Sequence, residues 1–143
     1  MRRDDEGTVL VLLLGFTAVL LLMVAVVVNV SAAILAKRSL VSAADGAALS
    51  AAQALDLTGL YAGGLEAGRL PLDHGQAALR VAAYQAQVAE AQPGTRLAVR
   101  VSADGTTAVV RAVRMVELPF GRILGFAPVR VEAEARARAP TSR

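Results

Sequence analysis

The segment 8–36 constrains this chain more than any other, because it contains no charged residue and is almost wholly apolar. A helix crosses the hydrocarbon core of a bilayer, about 30 Å thick, with roughly 20 apolar residues. At about 1.5 Å per residue, this segment would reach roughly 43 Å. The apolar core of a signal peptide is shorter, at about 7–15 residues, and 143 residues cannot surround so long a helix with protein. The sequence therefore predicts a membrane-spanning helix over residues 8–36.

The residues on either side of this span bear on its orientation. Two basic residues precede it and two follow it, so the positive-inside rule does not decide between the two orientations. The preceding tail, residues 1–7, is short, whereas the part after the span is long enough to fold. We therefore expect a single-pass protein of the cell membrane, with the tail 1–7 in the cytoplasm and the C-terminal part outside it.

A glycine stands at the border between the charged tail and the apolar helix. This arrangement is similar to the one that type IV prepilins present to their peptidase, and it makes Gly7 and Thr8 the candidate processing boundary. Such substrates usually carry a glutamate at the fifth position after the cut, where this chain has Leu12. We therefore expect that the chain is not cleaved there, and that Gly7 marks a helix boundary.

The residues that follow the span, 37–57, are rich in alanine, the best helix former, and predict a stalk helix that continues the span. Alanines recur on one face at helical spacing, which lets another helix approach closely. Two polar residues accompany them. Asn29 either reaches the lipid headgroups or makes an interhelical hydrogen bond, and Asp45 either fixes helix pairing or faces water. The candidate helix-packing residues are thus Asn29, Ala44, Asp45, Ala47, Ala48 and Ala51.

The order of these features resembles the TadE/TadG-like pilus-assembly proteins over roughly the first 55 residues. In that family the helix typically ends in a stretch of the type Leu-Gln-x-Ala-Ala-Asp-Ala-Ala-Ala-Leu-Ala. The matching positions here are Ala43, Ala44, Asp45, Ala47, Ala48 and Leu49. Gly46 replaces a usual alanine, and Asn29 stands where many members carry aspartate. The resemblance implies a bitopic subunit of a tight-adherence (Flp) pilus or a related secretion apparatus.

Beyond a Gly-rich loop predicted over residues 58–72, the sequence predicts a small α+β domain over residues 73–143. Asp73 and Gln76 have the spacing of a capping box and open an amphipathic helix that ends before Pro93. Its predicted apolar face consists of Ala77, Val81, Tyr84, Val88 and Ala91. Together with the long first helix and about three antiparallel strands, this gives a pilin-like α+β fold.

The strands are predicted from the alternation of apolar and polar residues. A hairpin over residues 96–117 turns at Asp104 and Gly105, a strong signal for a two-residue turn. Counting outward from that turn pairs Leu97 with Ala112, Val99 with Val110 and Val101 with Ala108. A third strand alternates over residues 129–138, with one apolar face and one face of mixed charge, which favours a solvated outer surface.

The connection between the second and third strands, residues 118–128, is unusually apolar. One interpretation is a loop that folds back over the edge of the sheet. The other is a docking surface that contacts a partner subunit or the membrane. The candidate docking residues are Phe120, Ile123, Leu124 and Phe126.

The sequence offers no catalytic constellation. It has no cysteine, a single histidine, and none of the common hydrolase, nucleotide-binding or zinc motifs. We therefore expect no enzyme activity, cofactor, metal or small-molecule substrate. The net charge of +3 is scattered among acidic residues, which argues against nucleic acid.

Two functions remain open. One is a structural or assembly subunit whose partners are membrane lipid, other pilus or secretion subunits, or a second copy bound through the stalk. The alternative is a single-span envelope scaffold or regulatory binding module unrelated to filaments. Both would be anchored by the helix predicted over residues 8–36.

Overall fold

The computed structural model describes residues 3–54 and 72–139, with side chains described from Gly7 onward. It confirms the predicted α+β class: a long N-terminal helix, a second helix and a three-stranded antiparallel sheet. The helices are α1 (Arg3–Ala52), α2 (His74–Ala91) and the short α3 (Gly121–Leu124), and the strands are β1 (Arg96–Val101), β2 (Thr107–Val116) and β3 (Val129–Arg138). Most of the loop predicted over residues 58–72 lies outside the described residues.

Helix α1 is one uninterrupted helix of 50 residues, which corresponds to a length of about 75 Å. It ends at Ala52, whereas the alanine-rich composition predicted a stalk helix to residue 57. The end follows from two hydrogen bonds: Ala54 N donates to Ala51 O in a tight final turn, and Ala54 O accepts from Asp73 N. The Ala54 carbonyl is therefore used to hold the start of α2.

The start of α2 confirms the predicted cap at Asp73, whose carboxylate accepts a hydrogen bond from Gln76 N at 3.0 Å. The reciprocal bond of a full capping box is replaced, because Asp73 N donates to Ala54 O instead. Of the predicted apolar face, Ala77, Val81 and Val88 are buried and Tyr84 is half-buried. Ala91 is exposed, because it is the last residue of α2.

The sheet has the order β1-β2-β3, with both pairs antiparallel. The predicted hairpin register is confirmed at all three positions, since Leu97 faces Ala112, Val99 faces Val110 and Val101 faces Ala108. In β3, Val131, Ala133 and Ala135 are buried while their charged neighbours face outward. The alternation in the sequence thus identifies correctly which side of the sheet is covered.

The tip of the hairpin differs from the predicted two-residue turn. Ser102 N donates to Thr107 O, so residues 103–106 form a four-residue connection. Gly105 has a φ of 68°, in the left-handed region that favours glycine. The register is unchanged, because the longer connection is symmetric about the same two residues, Asp104 and Gly105.

The core lies between the sheet and the two long helices. Helix α1 packs over β2 and β3, and α2 packs beside it over β1. The largest fully buried side chains are Leu40 and Val110, and much of the remaining core is alanine. Because small side chains fill little space, the backbones of α1 and the sheet must lie close together.

Candidate functional site

Helix α1 divides into two parts that differ in what surrounds them. Over residues 7–28 its side chains are exposed, apart from half-buried Ala25, and almost all of them are apolar. From Asn29 to the end of the helix, one side of α1 is covered by the rest of the chain. Within residues 3–54 and 72–139, α1 is the one helix long and apolar enough to cross a membrane. This agrees with a single-pass membrane anchor.

The two parts of α1 meet at Asn29, whose side-chain oxygen accepts a hydrogen bond from Phe120 N at 2.9 Å. Asn29 is only 5% exposed. The sequence offered a headgroup contact or an interhelical bond for this amide, whereas the structure places its oxygen on a backbone N–H of the same chain, 91 positions away. The Asn29 side-chain nitrogen is buried and has no hydrogen-bond partner among the described residues.

Phe120 belongs to the β2–β3 turn (residues 118–128), the connection identified above as a candidate docking loop. This turn contains the short helix α3, which ends at Leu124 and is followed by Gly125 with a φ of 75°. Ile123 is 80% exposed and Phe126 is 56% exposed, Phe120 is at the border of exposure, and Leu124 is half-buried. The turn therefore does not fold over the sheet edge to hide its apolar side chains, but lies beside α1 with them outward.

A second pair of contacts joins the same end of the domain to α1. Arg114 donates to Ala36 O at 3.5 Å and to the Gln92 side-chain oxygen at 3.2 Å. The Lys37 ammonium donates to Glu132 O. These contacts lie at the end of the predicted span, at Ala36 and Lys37, whereas the bond from Phe120 N reaches α1 seven residues before that end, at Asn29. Sequence reasoning missed these contacts, because the partners are far apart along the chain.

The alanine face of α1 is covered by the chain itself. All four predicted packing alanines are almost completely buried: Ala44, Ala47, Ala48 and Ala51. They lie in the core with Val110, Ala112 and Ala133 of the sheet and Val81 of α2. The sequence predicted that another helix packs on this face, either α2 of the same chain or the stalk of a neighbouring subunit, and in the structure the chain's own sheet and α2 cover it. Asp45 lies on the opposite, exposed side of α1.

Gly46 of α1 lies against Tyr84 of α2. A Cβ added there would lie 2.7 Å from Tyr84 Cζ, closer than any real contact of this type. The sequence showed that Gly46 replaces an alanine of the family pattern, but it did not show why. The tyrosine ring occupies the place that an alanine methyl group would take.

The candidate processing boundary lies within α1, which begins at Arg3, so the expectation that Gly7 marks a helix boundary is wrong. Gly7 is exposed, and a Cβ added to it would meet no atom within 4 Å. Thr8 follows it on the same helix. The prediction that the chain is not cut between these two residues stays a prediction.

The outer face of the sheet carries ion pairs. Glu132 pairs with Arg111 at 2.5 Å and with Arg130 at 2.7 Å, and Glu134 pairs with Arg136 at 2.9 Å. The hydrogen bond from Arg111 lowers the pKa of Glu132. These groups are exposed, and exposed pairs contribute little to stability. Among the described residues, no three His, Asp or Glu side chains are grouped so that they could hold a metal ion.

The comparison with protein families finds one match relevant to this arrangement. Residues 7–54 match the model of the family described as putative Flp pilus-assembly TadE/G-like. The predicted resemblance is thereby confirmed over these residues, and it supports a role related to pilus assembly. Searches of curated proteins and of solved structures find no match.

Proposed function

We propose that this protein is a non-enzymatic, membrane-anchored subunit that helps to assemble a Flp-type pilus or a related secretion apparatus. In this role it acts like a minor pilin or pseudopilin. Helix α1 crosses the membrane once, the tail 1–7 lies in the cytoplasm, and the α+β domain lies outside. The observation that carries the proposal is the family match over residues 7–54, which begins where the exposed apolar segment begins and ends just beyond α1.

The surface that α1 leaves open indicates where neighbours bind. Because the alanine face is covered by the chain's own sheet and α2, partners meet the opposite side. That side carries Val41, Asp45 and Leu49, which are spaced four apart and exposed. Residues at this spacing lie on one face of a helix. We call these three residues the outer stripe of α1 and propose that other pilus or secretion subunits, or a second copy, contact it.

The test is photo-crosslinking in cells from a residue of the outer stripe. A photoreactive amino acid at Leu49, which is 61% exposed, should capture pilus or secretion subunits or a second copy, identified by mass spectrometry. The same amino acid at Leu79 is the matched control, because Leu79 is 66% exposed but lies on α2. Leu79 should give few crosslinks to the subunits captured from Leu49.

The alternative function predicts a different set of partners. If the protein is an envelope scaffold or regulatory module unrelated to filaments, Leu49 should capture proteins that belong to no pilus or secretion apparatus. That outcome would contradict the proposal. Equal capture of the same subunits from Leu49 and Leu79 would retain the pilus role but contradict the outer stripe.

A further inference from the structure

We propose that the β2–β3 turn enters the border between headgroups and acyl chains in the outer leaflet, beside α1. Phe120, Ile123 and Phe126 then contact lipid. The inference rests on the proposed function, because it requires α1 to cross the membrane. It adds a second membrane contact, made by the folded domain itself.

The turn lies beside α1 just past the exposed apolar part of that helix. The exposed apolar part, residues 7–28, contains 22 residues and has a length of about 33 Å, close to the roughly 30 Å of a hydrocarbon core. The bond from Phe120 N to Asn29 fixes the turn at the next residue. If the membrane instead reached Ala36, seven residues or about 10 Å farther on, the turn would lie within it. The turn meets the membrane in either case.

The turn and the part of α1 that follows residue 28 expose several apolar side chains. Ile123 and Phe126 are largely exposed, and so are Met115 and Val129 at the adjoining strand ends. On α1 itself, Val30, Ile34 and Leu35 are exposed over the same distance. Scattered apolar side chains on a surface are ordinary, but a contiguous apolar patch marks a contact. The exposed apolar residues of α1 continue from residues 7–28 past the level of Asn29, where the turn is bonded, and this continuity favours lipid as the substance that covers the turn.

Basic residues accompany these apolar side chains on the turn, on β3 and on α1. Arg122 lies within the turn, Arg130 follows it on β3, and Lys37 and Arg38 stand on α1 just beyond Leu35; all four are exposed. Long basic side chains can lay their stems along apolar surface while their charged ends reach the phosphate level. Two acids lie near these cations: exposed Glu117 precedes the turn, and half-buried Glu132 pairs with Arg130 at 2.7 Å and accepts a hydrogen bond from Lys37 through its backbone oxygen. The four cations outnumber the two acids, which suits a surface of phosphate headgroups.

The experiment uses the absence of tryptophan from the chain, so that one introduced tryptophan reports on one site. The full-length variants Ile123→Trp, Val19→Trp and Leu79→Trp are placed in nanodiscs at one copy per disc, with or without phosphatidylcholine brominated on its acyl chains. Val19 lies in the middle of the apolar part of α1, and Leu79 is exposed on α2. Brominated lipid should quench Val19→Trp and Ile123→Trp and leave Leu79→Trp unchanged. Phe126→Trp, which replaces one aromatic ring by another, should behave as Ile123→Trp does.

The remaining outcomes separate this inference from the proposed function. Quenching of Val19→Trp alone would overturn the membrane contact of the turn and leave the anchor in place. The absence of quenching at Val19→Trp would overturn the anchor and the inference together. An emission shift of Ile123→Trp that appears only with two copies per disc, without quenching, would assign the turn to a second copy and overturn the lipid contact.

Discussion

Tyr84 of α2 lies directly over Gly46 of α1, so that a Cβ added to Gly46 would come within 2.1 Å of the tyrosine hydroxyl oxygen. The exchange Gly46→Ala should therefore lower the stability of the domain. Alanine has a higher helix propensity than glycine, which favours the variant by about 1 kcal/mol. Overpacking a filled site, however, costs about 1–3 kcal/mol. Urea unfolding of the detergent-solubilised protein measures the net change in the free energy of unfolding.

A double mutant tests whether the contact with Tyr84 causes the loss of stability expected for Gly46→Ala. In a Tyr84→Ala background, Gly46→Ala should become neutral or stabilising by up to about 1 kcal/mol. Gly15→Ala is the control on the same helix, because a Cβ there meets no atom within 4 Å. Equal destabilisation by Gly46→Ala with and without Tyr84 would contradict the proposed contact.

The Asn29 contact should hold the β2–β3 turn against α1. The exchange Asn29→Leu keeps the approximate volume but removes the acceptor of the Phe120 N–H, and a lost hydrogen bond of a buried group costs about 1–3 kcal/mol. Amide hydrogen exchange at Phe120 should become faster. Val30→Leu is the matched control, since Val30 is the exposed neighbour on α1. Unchanged exchange at Phe120 in Asn29→Leu would show that other contacts hold the turn.

The buried alanines should be required for folding of the domain. Ala44 and Ala48 contact the chain's own core, so Ala44→Leu and Ala48→Leu should each destabilise the domain by about 1–3 kcal/mol through overpacking. The apolar part of α1 precedes both residues, so membrane insertion should be retained. Limited proteolysis and membrane fractionation measure these two effects. Resistance to protease equal to that of Leu49→Ala, an exposed control on α1, would contradict the prediction.

The hairpin tip should contribute a pH-dependent stabilisation. Hydrogen bonds from Ser102 and Thr106 lower the pKa of Asp104 from its ordinary 3.8 to about 2. Because the folded-state pKa is the lower one, the ionised Asp104 stabilises the fold above about pH 4, and this contribution is lost as the pH falls through about 2. The difference in urea unfolding midpoint between the wild type and Asp104→Asn should therefore shrink as the pH is lowered from about 4 to about 2. Glu90→Gln, on the exposed side of α2, is the control, and a difference independent of pH would contradict the prediction.

The orientation can be tested because the chain has no cysteine. A membrane-impermeant maleimide should label Leu79→Cys on intact spheroplasts, since we expect the domain outside the cytoplasm. It should label Asp5→Cys, in the tail 1–7, only after permeabilisation. The opposite labelling pattern would reverse the assigned orientation.

The sequence predicted those parts of the fold that local pattern determines. Alternation of side chains determined the hairpin register, because a shift by one residue would expose Val99 and Val110. The carboxylate of Asp73 identified the start of α2, because a capping side chain and the first helical N–H groups are close in sequence.

The relation of α1 to the sheet was not predictable in the same way. An alanine face accepts a helix or a sheet equally well, since its small side chains restrict neither partner. The same limit applies to Asn29, which lies in a sequence typical of a membrane span and contacts a residue 91 positions away. Gly46 did carry a signal, because it departs from the family pattern, but its cause is a ring on another helix.

The continuity of α1 gives the molecule a mechanical property. With α1 crossing the membrane as proposed, a change in its tilt within the bilayer rotates the whole domain, because one helix without a break joins the apolar part to the core. The distal end of α1 lies about 36 Å beyond Val28, so a tilt of about 10° would move it sideways by roughly 6 Å. Helices tilt to match the thickness of the bilayer around them. We therefore expect the position of the domain above the membrane to respond to membrane thickness.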